Sequence, residues 1–172
     1  RPVSISIDLA GNDLYGFPGS DASGLYPPLR PADEAGRYDG SNPNVGDAIG
    51  PMSLSDIPRQ GVGIFGVGIL YDVSGNDRYH SHKLSQGVGV FGVGTLIDVG
   101  GNDQYICEQG CQGAGAFGIG MLADRGGDDL YIGVQYVQGF AHIYGSGLLY
   151  DAQGDDTYKA LSGDVQSGDG IL

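Results

Sequence analysis

The sequence predicts an all-β fold: a parallel β-solenoid (β-helix) of about five 26-residue coils with one long proline-rich insertion. Three observations predict it. A block that begins with Gln-Gly recurs every 26 residues, and glycine occupies 34 of the 172 positions, far above its average share of roughly 7%. Within each block, glycine alternates with β-branched and aromatic residues, a pattern that suits strands and is poor for helix. Blocks of this length are typical of solenoids, whose coils stack about 4.8 Å apart.

The repeat blocks begin at four glutamines, and a fifth glutamine, Gln166, follows two residues later than the period requires. If the coils stack, equivalent residues should form ladders of aromatic rings, leucines, tyrosines and amides. The predicted ladders are Phe65, Phe91, Phe117 and Tyr144; Leu70, Leu96, Leu122 and Leu149; Tyr15, Tyr79, Tyr105, Tyr131 and Tyr158; and Gln60, Gln86, Gln112, Gln138 and Gln166.

The repeat divides the chain into four parts: residues 1–15 form a partial first coil, 16–59 an inserted arm or lid, 60–165 four coils, and 166–172 the start of a further coil or the C-terminal end. Seven of the eight prolines lie in 16–59, so that segment cannot run as a central strand or a regular helix. The chain opens inside a repeat, which we interpret as a processed chain or a piece of a longer array. A β-propeller or sandwich is the alternative fold, although 26 residues per unit is short for it and hairpin turns are missing.

Charge and hydropathy exclude two classes of partner. Eight Lys and Arg against 21 Asp and Glu give a formal net charge of -13, which repels nucleic acid and anionic membranes and favours cations. No apolar run reaches the roughly 18 residues that a membrane-spanning helix needs. We therefore expect no nucleic-acid partner and no membrane-spanning segment.

The pattern D-x-x-G-[ND]-D-x-Y recurs in every coil and is the candidate cation site. Stacked coils would place its carboxylates in columns, where charges about 4.8 Å apart repel by roughly 3 to 4 kcal/mol at an effective dielectric of about 20. Ca²⁺ would neutralise them, because it accepts six to eight carboxylate, amide and carbonyl oxygens. The predicted metal ligands are Asp8, Asn12, Asp13, Asp72, Asn76, Asp77, Asp98, Asn102, Asp103, Asp124, Asp128, Asp129, Asp151, Asp155 and Asp156.

These turns resemble the RTX family of calcium-binding repeats, and GGNDQY (100–105) and GGDDLY (126–131) come closest. The resemblance implies Ca²⁺ held between successive coils of a parallel β-roll. It covers about eight residues of each unit, and the family's nine-residue period and second turn glycine are absent. An Asx turn, in which Asp caps its own backbone, is the competing interpretation, and both can hold together.

Residues outside the turns offer fewer candidates. Cys107 and Cys111 could form a local disulfide, but would be roughly 13 Å apart if the segment stayed extended; a metal site there lacks a third soft ligand. His80 and His82 share a strand face and could bind a transition metal, yet no other coil repeats them.

The strand before each acidic turn is apolar on both faces, which indicates that something covers its outer face. The predicted interface residues are Val67, Ile69, Tyr71, Val93, Ile97, Ile119 and Met121. We expect the cover to be the proline-rich arm or other protein subunits.

The expected function is a Ca²⁺-stabilised scaffold or interaction module in a larger assembly, outside the cytoplasm, where Ca²⁺ is near millimolar. The alternative is a carbohydrate-active β-helix enzyme, a polysaccharide lyase or hydrolase, with a site under the insertion. Asp33, Glu34 and Arg37 are its candidate residues. An enzyme is the less favoured of the two, and polysaccharide is the partner class it would add.

Overall fold

A computed structural model describes residues 2–15 and 60–160 of the chain. Over these residues the fold is all-β, with three parallel sheets and no helix. The predicted solenoid is confirmed: each of the four complete coils contributes one strand to every sheet, and strands of successive coils pair in parallel. No antiparallel pair occurs among the described strands, so the hairpin-built alternatives are excluded there. Within the same residues, no helix is long and apolar enough to cross a membrane.

The first sheet holds the strands that precede the acidic turns, and its register keeps equivalent residues side by side, as in the pairing of Asp98 with Asp124. Burial alternates along these strands, so leucine and aspartate point inward and the other parity points outward. The strands, in spatial order, are β1 (Val3–Asp8), β4 (Val67–Asp72), β7 (Val93–Asp98), β10 (Ile119–Asp124) and β13 (Ser146–Asp151).

The other two sheets complete each coil. The second sheet follows the acidic turns and consists of β2 (Leu14–Tyr15), β5 (Arg78–Ser85), β8 (Gln104–Cys111), β11 (Leu130–Gln135) and β14 (Thr157–Ala160). The third sheet opens each repeat block and consists of the short strands β3 (Gly63–Ile64), β6 (Gly89–Val90), β9 (Gly115–Ala116) and β12 (Ala141–His142).

Left-handed backbone conformations make two of the three corners of a coil. Gln86, between the second and third sheets, has φ 59°, and Phe91, between the third and first, has φ 48°. Their repeat partners adopt the same conformation, so the bend recurs at the same place in each coil. At the third corner lies the acidic turn. The interior is narrow at β7, because a Cβ on Gly94 would collide with the carbonyl oxygen of Val88.

The core is a set of ladders, as the repeat predicts. Leucines and tyrosines fill it, and the tyrosine rings stack with centroids 4.7 to 4.9 Å apart. Buried glutamines bridge coils: the side-chain amide of Gln112 donates to the carbonyls of Tyr105 (2.8 Å) and Ile132 (2.9 Å). The ladders therefore hold neighbouring coils together through rings and amides as well as through backbone bonds.

The last complete coil absorbs its first extra residue between β12 and β13. The third sheet keeps the 26-residue register up to His142, whereas β13 pairs one residue later, with Ser146 opposite Ile119. Tyr144 therefore leaves the aromatic stack: its ring lies 6.1 Å from that of Phe117 and is tilted by 43°.

A disulfide joins Cys107 and Cys111, whose Cα atoms are 6.3 Å apart. Both lie in β8, but Gly110 has φ 62° and bends the strand, so the extended spacing of roughly 13 Å does not apply. Of the two possibilities that the sequence left open, the structure shows the disulfide. The inserted segment 16–59, with Asp33, Glu34 and Arg37, lies outside the described residues, as do residues 161–172.

Candidate functional site

The acidic turn begins where a strand of the first sheet ends. After β7, the Oδ1 atom of Asp98 accepts a hydrogen bond from the backbone N–H of Gly100 (3.1 Å), which closes an Asx turn. The same bond forms at Asp72 and Asp124. The Asx turn that competed with a metal site is therefore present, and it uses one oxygen of the first carboxylate in the motif.

The glycine of the turn is required by the stacking distance. Gly101 has φ 154°, and a Cβ at this position would collide with the carbonyl oxygen of Gly75 in the preceding coil. Any other residue would both strain the backbone and push the coils apart. Because the turns of successive coils approach so closely, their carboxylates are brought together.

The aspartates form two buried columns in the central coils. The first column comes from the strand ends, where Asp72, Asp98 and Asp124 are fully buried; the second comes from the turns, where Asp77, Asp103 and Asp129 are at most 2% exposed. In the outer coils the equivalent residues Asp8, Asp13, Asp151 and Asp156 are half-buried. The charged columns predicted from the repeat are thus inside the protein.

Each second-column carboxylate ties its coil to the preceding one. The Oδ1 atom of Asp103 accepts the backbone N–H of Asp77 (2.6 Å), and Oδ1 of Asp129 accepts that of Asp103 (2.7 Å). Their Oδ2 atoms, and that of Asp77, are buried and accept no N–H or O–H bond from the described residues. A carboxylate oxygen of Asp129 lies within 4.8 Å of one of Asp124, and a hydrogen bond between the two groups requires that one of them is protonated.

The first column is held by the hydroxyl groups of the tyrosine ladder. The hydroxyl of Tyr79 donates to Oδ2 of Asp98 (2.7 Å), and that of Tyr105 donates to Oδ2 of Asp124 (2.6 Å). Burial and the neighbouring aspartate charges raise the pKa of both tyrosines, so they remain protonated donors. The recurring spacing of 19 residues from a tyrosine to the aspartate of the next coil, as from Tyr79 to Asp98, was the available signal.

Burial raises the pKa of several carboxyls in the two columns, and repulsion from neighbouring aspartates adds to it. The pKa of Asp103 rises to about 9 and that of Asp129 to about 8, while those of Asp77 and Asp98 rise to about 6. In each case loss of hydration is the largest cause, and the charges of neighbouring aspartates contribute in the same direction. The columns therefore bind a positive charge, either a proton or a cation, more strongly than exposed aspartates do.

Among residues 2–15 and 60–160, three groups of carboxylates are spaced for a cation. In each, one oxygen from every member lies within 4.8 Å of the others. Three oxygens within 4.8 Å of one another can all lie within about 2.8 Å of a common centre, close to the 2.3–2.6 Å at which Ca²⁺ binds oxygen. The groups are Asp72, Asp77 and Asp98; Asp103, Asp124 and Asp129; and Asp129, Asp151 and Asp156.

The Asn or Asp that precedes each second-column aspartate lies at the exposed surface. Its Oδ1 accepts the backbone N–H of the equivalent residue in the following coil, as Asn76 accepts from Asn102 (2.8 Å). Oδ1 is thus already engaged at Asn12, Asn76, Asn102 and Asp128. The carboxylate groups described above contain neither Asp128 nor Asp155. Their assignment as cation ligands stays a prediction, as it does for the three asparagines.

The other candidates are dispersed. His80 is buried in β5, where loss of hydration and the charge of Arg78 lower its pKa to about 4, so its imidazole is neutral. It belongs to none of the carboxylate groups. The side chain of His82 lies outside the described part of the structure. The sulfur atoms of Cys107 and Cys111 are bonded to each other, so neither is available as a thiolate ligand.

The predicted interface residues lie together on the outward parity of the first sheet. Ile119 is 53% exposed and Val93 36%, and the remaining five are half-buried. Among the described strands of this sheet, no outward position carries a charged residue. The exposed phenylalanine stack runs along one side of this face.

Comparison of the chain with models of known protein families, with curated proteins and with solved structures finds no match.

Proposed function

We propose that this chain is a Ca²⁺-stabilised β-solenoid that serves as a structural and interaction module of a larger assembly outside the cytoplasm. The observation that carries the proposal is the set of second-column oxygens, Oδ2 of Asp77, Asp103 and Asp129, which are buried among other carboxylates without a donor. A buried charge of this kind costs several kcal/mol unless it is paired.

A cation relieves this cost better than protons do at neutral pH. Protonation would neutralise some carboxyls, but Asp77 and Asp98, with pKa values of about 6, are mostly charged at pH 7. Tyrosine hydroxyls and backbone N–H groups neutralise no charge. A divalent cation in each group would neutralise two carboxylates and use the orphaned oxygens as ligands, and hard oxygen donors favour Ca²⁺ over softer metals.

The choice of Ca²⁺ over Mg²⁺ follows from geometry. Mg²⁺ requires near-ideal octahedral coordination at 2.0–2.1 Å and gives up its waters reluctantly, whereas Ca²⁺ tolerates longer distances and irregular sites. Ligands that belong to stacked backbone turns have their positions set by the coil spacing. An ion that adapts to the ligands is therefore the better fit. The resemblance of the turn to RTX repeats points to the same ion.

The interaction role rests on the outer face of the first sheet. This face is uncharged and mainly apolar across the described strands, although the chain carries a net charge of -13. An apolar face of this kind is what another protein subunit would cover, and an uncharged one allows close approach in spite of the overall charge. The placement outside the cytoplasm is supported by the disulfide between Cys107 and Cys111, because such bonds persist in oxidising compartments.

No observation favours the enzyme alternative. Of the acidic residues in the described part of the chain, all except Glu108 belong to the repeating turns, so paired carboxylates that depart from the repeat are not found there. The candidate lid residues lie outside that part. The enzyme stays the second hypothesis.

The test is thermal unfolding of the metal-free protein with added cations. At a Ca²⁺ concentration 100 times the dissociation constant, binding at one site adds about 2.7 kcal/mol, which raises the Tm of a chain of this size by roughly 5–10 °C. Mg²⁺ at the same concentration should give a much smaller shift, and calorimetric titration should show more than one Ca²⁺ per chain. An unchanged Tm with Ca²⁺ would leave the columns neutralised by protons alone and would refute the metal part of the proposal.

A further inference from the structure

One column of left-handed residues departs from the repeat. Leu84, Gly110 and Tyr136 are spaced by one period and have φ values of 51°, 62° and 56°, so the backbone repeats although the side chains do not. Across the next corner, Val88, Ala114 and then Phe140 succeed one another at the same interval. In both columns the middle coil has the smallest side chain and the last has an aromatic ring.

The small side chains of the middle coil leave a groove between the larger side chains of its neighbours. Its volume is about 330 Å³, and it is lined along the middle by Gly110, Ala114 and Ala116. Leu84 and Val88 lie on one side, and Tyr136, Phe140 and His142 on the other. Two coil spacings, about 10 Å, separate the two sides. The volume lies at the lower end of the range for small-ligand sites, so it suits a ligand of one or two rings.

The aromatic side of the groove is a cluster of three rings. The centroids of Tyr136 and Phe140 are 4.9 Å apart, and those of Phe140 and His142 are 6.1 Å apart. Tyr136 is 44% exposed, so its ring is accessible from the groove. These rings are the apolar surface on which a flat, weakly polar ring can stack.

Polar groups line the same groove on the side of the second sheet. Gln109 and Lys83 both lie there, and the Gln109 amide is oriented by donating to Oε1 of Gln135 (3.1 Å). The side-chain amide of Gln109 carries both donor and acceptor atoms and can therefore bond sugar hydroxyls. A ligand that matches the groove therefore has an apolar ring face and hydroxyls on its edge. A phosphate-bearing ligand is disfavoured by the net charge of -13.

We propose that this groove is a glycan subsite that binds a neutral pyranose ring, with the C–H face of the sugar on Tyr136 and Phe140 and its hydroxyls toward Gln109. The proposal uses none of the aspartate columns and is independent of the cation. It adds a ligand-binding function to the scaffold, at the place where the coils cease to be alike.

The test is calorimetric titration of the full chain, in Ca²⁺, with cellotriose, xylotriose, maltotriose and chitotriose. We expect at least one of these sugars to bind, and Tyr136→Ala to weaken that binding at least tenfold. Tyr136→Phe keeps the ring and should retain binding to within about threefold. Tyr144→Ala removes an exposed ring elsewhere on the solenoid and is the matched control, which should bind as the unmodified protein does.

Ala116→Phe fills the groove without removing any wall and should abolish binding while the Tm stays within a few degrees. Failure of all four sugars to bind would overturn the proposal. Equal loss in the Tyr136→Ala and Tyr144→Ala variants would overturn it too, because binding would then lie elsewhere. Since the Ca²⁺ response of the Tm is measured on the same samples, failure here is distinguishable from failure of the cation proposal.

Discussion

The acidic turn after β1 and the one after β7 have closely similar sequences, LAGNDLY and VGGNDQY, but different surroundings. Asp103, in the second, lies between two neighbouring coils and is 1% exposed, and its pKa rises to about 9. Asp13, in the first, has a described coil on one side and is half-buried. The motif supplies the carboxyl group, but the stacking of coils on both sides buries it and raises its pKa. The contrast between central and outer turns can be tested directly.

The largest expected effect is the pH dependence of the metal-free protein. Because the pKa values of Asp103 and Asp129 are raised to about 9 and about 8, the folded state binds more protons than the unfolded state between about pH 4 and pH 9. The free energy of unfolding must then fall as the pH rises through this window. Tm values of the metal-free protein should decrease from pH 5 to pH 9. Saturating Ca²⁺ should reduce this dependence, and a metal-free Tm that rises with pH would contradict the charge assignment.

The second effect separates the central turn from the outer one. Asp103→Asn keeps an Oδ1 acceptor for the N–H of Asp77 but removes the ionisable carboxyl, which at pH 8 must take up a proton or remain charged when it is buried. At pH 8, without metal, we expect it to stabilise the protein by roughly 2 to 4 kcal/mol and to reduce the Ca²⁺-induced increase in Tm. The matched Asp13→Asn variant should change both quantities by far less. The comparison fails if the two substitutions have equal effects in thermal unfolding.

The third effect concerns the tyrosine donors. Tyr105→Phe removes the hydroxyl that donates to Asp124 and leaves a buried carboxylate without that donor, at a cost of about 1.5–3 kcal/mol. Tyr158, which donates to Asp151 (2.8 Å), is 48% exposed, so Tyr158→Phe should cost under about 1 kcal/mol. Urea unfolding in Ca²⁺ measures both. Equal losses would indicate that the tyrosine column contributes packing alone.

The smallest effect tests the surface ladder. Asn102→Ala removes the oxygen that accepts the N–H of Asp128 (3.1 Å), at a cost of about 0.5–1 kcal/mol for one exposed bond. Asn12→Ala removes the equivalent bond in the outer coil and should cost about the same. If the ligands are the two aspartate columns, neither variant alters the Ca²⁺-induced shift in Tm. A lost shift in Asn102→Ala would instead make Asn102 a ligand, as the sequence predicts.

The repeat was sufficient to predict the coil, its period and most of its ladders. A fixed spacing determines which residues stack, so the columns of Tyr79 and Leu96 follow without knowledge of the path of the chain. It does not determine where a side chain points at a left-handed corner, and sequence gives little warning that Gln86 or Phe91 adopts such a conformation. For the same reason the bend at Gly110 that brings Cys107 to Cys111 remained one of two alternatives.

The site was predicted at the level of residues but not of atoms. Spacing placed Asp98 and Asp103 in columns, yet it could not tell which carboxylate oxygen a tyrosine or a backbone N–H would occupy. Whether Asn102 faces the columns or the surface also depends on the turn geometry. The groove at Tyr136 was not predicted, because the repeat identifies only residues that recur and the groove is formed where the coils differ.

In each central turn, two consecutive N–H groups bond in opposite directions. The N–H of Asn76 donates to Asn12 in the coil before, and that of Asp77 donates to Asp103 in the coil after. A coil therefore offers its successor the same pattern of donors and acceptors that its predecessor offers to it. The interface between successive coils is therefore the same along the repeat. A whole 26-residue unit can be added or removed, and the coils on either side still present matching donors and acceptors. The number of coils is thus not fixed by the interface, and length can be varied without redesigning the fold.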